Sequence, residues 1–299
     1  CRSGLREEQC EEHSEQVCAR TLFITEFEGD VSRVRYHDLF RDFLLSRHKR
    51  QDEARFRNLT RRAAETYAQQ GEWDRAVRRY RSLQEYELVA QIIERMAGDL
   101  YDKGRWTTLA DWIDSLPDEL REAHPDFYVH RANIHAERGE RDEAHDLYKR
   151  AETAYSAAGD STRVAHILAT RSSLRRYEGQ YDTAMDYCRQ ALALVEGTTN
   201  RDKAAMALAH RNLGLCQLRV GQLAEGRTAL DIALTLYEAV DSPYDVGLVY
   251  HDLGLSHELV GDLPAAVEDY RAALRRWRRL GNLAPWANTL NGLGVVYYR

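Results

Sequence analysis

Proline is scarce in this chain, with five in 299 residues. All five lie near segment ends or in loops, so no long stretch is barred from helix by a missing N–H or a ring clash. Long apolar runs are missing as well. None approaches the roughly 20 residues needed to cross a bilayer, which sets aside a membrane-spanning protein. Cysteine is present but unpatterned: Cys1, Cys10, Cys18, Cys188 and Cys216 are odd in number and show no CxxC spacing. A disulfide framework is therefore not expected, and a reduced, cytoplasmic chain with free thiols is. The N-terminal CRSGLREEQCEEHSEQ is polar and acidic, without the apolar core of a secretory signal. Excess positive charge is lacking too. A net charge of −6 gives no electrostatic reason for nucleic acid or an anionic membrane to be the main partner.

What the chain does have is Ala, Leu, Arg and Glu, the residues that favour helix throughout. It also has an internal repeat, which is the feature that decides the fold. Turn glycines at Gly139, Gly179, Gly221 and Gly261 recur at intervals of 40, 42 and 40 residues. Each is followed at +5, +9 and +12 by a small or packing residue: Ala144, Tyr148 and Ala151; Ala184, Cys188 and Ala191; Gly226, Leu230 and Ala233; Ala266, Tyr270 and Ala273. A Leu-Gly pair appears eight and seven positions earlier as Leu213-Gly214 and Leu253-Gly254, and again as Leu293-Gly294. Arg171-Ser172 replaces it in one unit, and Gly226 replaces the small alanine in another.

Physically, the turn glycine ends one helix in a left-handed cap. The +5, +9 and +12 side chains then share a face of the next helix. A helical hairpin of this kind cannot bury its apolar face alone, so hairpins must stack. The pattern resembles the tetratricopeptide (TPR) consensus, with longer helices. Residues 51–137 carry a more degenerate form, with Gly71 followed by Ala76 and Tyr80, and Gly104 followed by Trp106, Leu109, Trp112 and Ile113. The last unit is expected to hold only its first helix, leaving Leu290, Leu293, Val295 and Val296 without their hairpin partner.

The start of the chain differs. TLFITEF (21–27), EGDVS and RVRYH (33–37) read as a β-hairpin turning at Gly29-Asp30. Asp38 is expected to cap the following helix, whose apolar stripe is Leu39, Phe40, Phe43 and Leu44. The expected fold class is all-α: a right-handed TPR-like α-solenoid of stacked hairpins, preceded by a small winged-helix remnant with a β-hairpin. Its parts are 1–50 (hairpin about 21–37, helix about 38–49), a degenerate array over 51–137, and TPR-like repeats of about 40 residues over 138–299.

The order of a hairpin, RYHDLFRDFL, ARFRNLTRRAAETYAQQGEWDRAV, RWTTLADWIDSLPDEL and PDFYVHRANIHAERGERDEAHDLYKRAE resembles the MalT-like large ATP-dependent LuxR-type transcriptional regulators of the STAND class. That resemblance implies a winged-helix end followed by a superhelical sensor. The sensor would bind an effector small molecule or a partner protein and pass the signal to neighbouring NTPase and helix-turn-helix modules. These residues contain no GxxxxGK[ST] loop, so no cofactor is expected here, and ATP only at the NTPase module. No direct nucleic-acid binding, no membrane binding and no enzymatic turnover are expected of this segment. The alternative is a generic TPR-like adaptor that holds a peptide in its groove.

Several residues invite sharper chemistry. His37-Asp38 looks like the metal-binding pair of phosphohydrolases, but no further ligands at helical spacing complete a set, so a structural joint is expected. Cys10, His13 and Cys18 lack a fourth ligand and tight pairing, and the i, i+5 pair His130 and His135 does not share a face. RAALRRWRRL (271–280) reads as a solvated outer helix with Leu274 and Trp277 inward, in preference to an anion-binding patch. The groove lined by the first helix of each hairpin is the favoured site. Asn133, Ser173, Arg211, His251 and Asn291 are its expected inward polar residues, with Arg176 and Glu258 one turn further on. Arg211, His251 and Asn291 recur at one repeat position and are expected to form a ladder able to hold a peptide, a sugar or a partner domain.

Overall fold

The structure is a computed structural model that describes residues 24–27, 33–196, 202–281 and 283–298. The strands β1 (Ile24–Phe27) and β2 (Arg33–Tyr36) pair antiparallel, with Ile24 opposite Tyr36 and Phe27 opposite Arg33. The Gly29-Asp30 turn lies outside the described residues. Fifteen helices follow among those described, and the chain divides into two compact units, Cys1–Ile92 and Ile93–Arg299.

In the first unit, α1 (Asp38–Gln51) begins one residue after its N-cap, His37. This corrects the expected cap: the cap position belongs to His37, whose side chain makes no capping bond, and Asp38 is the first helical residue. Two of the four stripe residues, Leu39 and Phe43, are exposed, while Phe40 and Leu44 are half-buried. Helix α2 (Glu53–Gln69) is capped conventionally, with the Asp52 carboxylate accepting from Arg55 N–H at 2.8 Å. It forms a hairpin with α3 (Trp73–Ser82) around Ala64, Ala76, Val77 and Tyr80, all buried.

The dividing point falls within α4 (Tyr86–Asp102). The second unit continues with α5 (Trp106–Asp114), α6 (Asp118–Ala123), α7 (Asp126–Glu137) and α8 (Arg141–Ala157). Three further hairpins and a final helix complete it. They are α9 (Ser161–Tyr177) with α10 (Tyr181–Val195), α11 (Lys203–Arg219) with α12 (Leu223–Ala239), α13 (Pro243–Val260) with α14 (Leu263–Leu280), and α15 (Leu283–Tyr298). Each hairpin turn repeats one hydrogen bond: the residue after the glycine donates its N–H to a carbonyl five residues back, as Asp262 does to His257 at 2.9 Å. Gly261 caps α13 at φ 80°, a conformation that costs other residues strain. Every +5, +9 and +12 residue of the four repeats is buried, from Ala144 through Ala273.

The two departures from the repeat pattern have physical causes. Gly226 stands in place of alanine because α11 and α12 cross there: a Cβ on Gly226 would lie 2.9 Å from both the Gly214 carbonyl oxygen and the Leu218 side chain. Arg171 fills the place of leucine by pairing with Glu152 and donating to the Tyr187 hydroxyl at 2.8 Å, its guanidinium 4.6 Å from that ring. In α15, Val296 is buried against Ala266 and Tyr270 of the preceding hairpin, whereas Leu290 and Val295 are exposed.

Candidate functional site

The first helices of successive hairpins, α9, α11, α13 and α15, carry most of the expected groove residues. The structure ties three of them to the next helix along. Asn212 of α11 donates to Ser173 Oγ at 2.8 Å and to the Ala169 carbonyl at 2.9 Å, both on α9. Arg211 Nε donates to Asp252 of α13 at 2.6 Å. His251 of α13 meets Thr289 Oγ1 of α15 at 3.1 Å. Each bond is a rung between adjacent first helices, across three consecutive seams, but none joins Arg211, His251 and Asn291 to one another.

Their electrostatics follow from burial. The desolvation of Arg211 opposes its charge, and the Asp252 carboxylate overrides that and leaves the guanidinium more firmly protonated than usual. Burial pushes the His251 imidazole below its ordinary value, with Arg211 acting in the same direction and Asp252 against it. Thr289 already gives its proton to the Pro285 carbonyl and accepts from Trp277 Nε1. It can only accept from His251, so Nδ1 carries the imidazole proton and Nε2 is left as an acceptor.

Asn133 and Glu258 are held within their own hairpins, each accepting from the hydroxyl of a second-helix tyrosine, Tyr148 and Tyr270 respectively. Two expected residues remain open. Asn291 is exposed, and the Arg176 guanidinium lies 4.3 Å from the ring of Tyr177, itself 67% exposed, with Arg176 Nε making no hydrogen bond. Sequence reasoning missed Asn212, Asp252, Thr289 and Tyr177. For Asp252 a signal was available: an acid beside His251, 41 residues after Arg211, is the spacing of one repeat.

A second recess of about 270 Å³ lies among the starts of α7, α9 and α11, beside Val129, Ile167 and Ala205. Its polar wall is a cluster in which Arg163 donates to Asp126 at 2.5 Å and to the Tyr155 hydroxyl at 2.8 Å, with His166 adjacent. Cys188 and Cys216 are buried free thiols; burial pushes them up to about 12 and about 11, so they are poor nucleophiles. Among the described residues no group of three or more His, Cys, Asp or Glu is placed to hold a metal ion. Cys10, His13 and Cys18 lie outside the described residues, and His135 is bonded to Glu140 at 2.6 Å. Nor is any described helix long and apolar enough to cross a membrane.

Comparison with known proteins matches residues 1–56 to the MalT winged helix domain, and residues 61–88 and 204–279 to the tetratricopeptide repeat. The chain resembles a MalT winged helix joined to tetratricopeptide repeats. The HTH-type transcriptional regulator MalT of Vibrio parahaemolyticus is 29% identical over 111 residues, 37% of this chain, and that of Vibrio campbellii is 27% identical over the same length. The chain spans 12% of the length of each of these relatives. Among solved structures, a STAND ATPase with a tetratricopeptide repeat sensor from Pyrococcus horikoshii superposes with a TM-score of 0.62 at 16% identity, covering 92% of this chain and 41% of that one. A Rap protein complexed with Competence and Sporulation Factor gives 0.56 at 18% identity, covering 78% and 71%. At these identities the two structures share the fold: an all-α TPR-like solenoid.

Proposed function

We propose that this chain is the sensing and scaffolding segment of a MalT-like transcriptional regulator, which binds an effector or partner protein on its repeats and passes that state to NTPase and DNA-binding modules. The observation that carries the reading is the joining of a MalT winged-helix match to a TPR array in one chain. Signal transfer requires an effector that binds two arrangements of the array with different affinity. The first-helix face suits such a role. Its bonded rungs give a rigid wall, and Arg176, Tyr177 and Asn291 offer a cation, an aromatic face and an amide to a ligand. The reading assigns these residues no turnover and no cofactor of their own.

Peptides belong among the ligands to test, because a Rap protein of the same fold is complexed with Competence and Sporulation Factor. The test is a thermal-shift screen of the purified chain against sugars, nucleotides and short peptides, followed by calorimetry on hits. Arg176→Ala or Tyr177→Ala is expected to weaken a hit by about tenfold, the loss of one charged or stacked contact. A hit whose affinity neither substitution changes would remove the first-helix face from the reading.

A further inference from the structure

The recess at the starts of α7, α9 and α11 carries a charge pair that the repeat does not require. Asp126 of α7 lies 13 residues before its turn glycine, and Arg163 of α9 lies 16 before its own. One seam later the same two positions hold His166 and Ala205, and at the next seam Leu208 and Asp245. Those seams pack without the pair, and a salt bridge whose side chains are 49% and 50% exposed adds little to stability. The notch beside it comes from small residues. Ala204 and Ala205 stand where α9 has Thr162 and Arg163 and α13 has Tyr244 and Asp245. Each of α7, α9 and α11 has its second helix in place, so the recess is not the uncovered face of an unfinished hairpin.

The geometry leaves both charges half used. The buried Tyr155 donates its hydroxyl proton to one oxygen of Asp126 and accepts from Arg163 Nη1, which also reaches the other oxygen at 2.5 Å. The Tyr155 ring lies 5.0 Å from the guanidinium and helps to hold it in place. Among the described residues nothing accepts from Arg163 Nη2, and the exposed His166 ring makes no hydrogen bond. Each Asp126 oxygen, having taken one proton donor, keeps room for a second. The floor is apolar, formed by Val129, Ile167, Ala204 and Ala205. A fixed guanidinium–carboxylate pair is close to neutral as a whole, so a lone anion or a lone cation gains little from it. A ligand with both charges on one carbon gains from each, its carboxylate at Arg163 and its ammonium at Asp126. At about 270 Å³ the recess falls below the roughly 300–1,000 Å³ of drug-sized sites, so its occupant is small. From the pair, the floor and the size we infer that this recess binds a free aliphatic α-amino acid, with the side chain over Ile167 and Ala204. A peptide terminus is a poorer match, because it carries one of the two charges. The inference deepens the effector-binding reading above and rests on it.

The test is calorimetry of the whole chain with L-leucine and three relatives of it. Leucinamide lacks the anionic group, isocaproate lacks the ammonium, and glycine lacks the side chain. Leucine is expected to bind, and each of the others at least about tenfold more weakly, the loss of one charged or apolar contact. Arg163→Met is expected to bring leucine and leucinamide to equal affinity, and Asp126→Asn to do the same for leucine and isocaproate. Both side chains are half exposed, so the variants are compatible with folding, which their thermal unfolding checks. Ala204→Leu, at an exposed position outside the ion pair, fills the floor and is expected to weaken leucine by at least about tenfold. The inference is overturned if millimolar leucine does not bind, if the four ligands bind alike, or if none of the three substitutions alters leucine binding. It is also overturned if glucose binds and loses affinity in Arg163→Met and Ala204→Leu while leucine is unaffected. These outcomes are read at Arg163, Asp126 and Ala204, so they stand apart from any result at Arg176 and Tyr177.

Discussion

Asp252 stands next to a residue that sequence reasoning selected, yet it does more for the array than its neighbour. With side-chain exposures of 16% and 7%, Arg211 and Asp252 form a pair nearly withdrawn from solvent on two consecutive first helices. Neither charge can stay buried without the other. Asp252→Ala would strand the Arg211 guanidinium, and the expected loss is about 3–5 kcal/mol of unfolding free energy. Arg211→Met combined with Asp252→Leu removes both charges and fills the space with apolar atoms, so it should recover most of that loss. Urea denaturation of the two variants and the parent measures both quantities. A cost below about 1 kcal/mol for Asp252→Ala would mean the pair is solvated and not a seam.

At the scale of the element, the glycine of each Leu-Gly pair answers to what the following second helix places against it. A Cβ on Gly254 would lie 2.7 Å from the Tyr270 ring, which is 1% exposed and has no room to move. A Cβ on Gly294, one repeat later, would meet nothing within 4 Å. Gly254→Ala should therefore destabilise by about 1–3 kcal/mol through overpacking. Gly294→Ala should stabilise by about 0.5–1 kcal/mol, since an interior helical glycine carries only an entropic cost. Thermal unfolding of the two variants tests the contrast; equal shifts would refute it. The periodic residues made the hairpins legible in the sequence, because turn glycines and packing alanines answer to local geometry that every repeat shares. The rungs were half legible. Arg211 and His251 were found by position and Asp252 lies at the repeat spacing, but Thr289 depends on how far adjacent hairpins rotate, which spacing alone does not encode. The expected cap at Asp38 failed for a similar reason. Cap preference names residue types, and one residue of register moved the cap position to His37.

For the molecule as a whole, the buried histidines set a pH dependence that belongs to one of the two units. His130, His145, His210 and His251 are all held below the ordinary histidine value by burial, and all lie beyond Ile93. Around His145 the charges of Arg175 and Arg171 add to that effect and Glu178 opposes it. The unfolded chain takes up protons on these histidines near pH 6.5, while the folded chain resists until lower pH. Their contribution to stability is therefore complete above about pH 7.5 and falls as pH drops through 6.5 towards the folded values. Asp269 works in the opposite sense, because burial raises its carboxyl above the ordinary carboxylate value. The midpoint of thermal unfolding should thus fall between pH 7.5 and pH 5.5. Hydrogen exchange at pH 5.5 should show lost protection in α7, α8, α11 and α13, and unchanged protection in α2 and α3. A midpoint that holds or rises on acidification would show that these imidazoles are solvated in the folded chain. Loss spread evenly over both units would show instead that the two unfold as one.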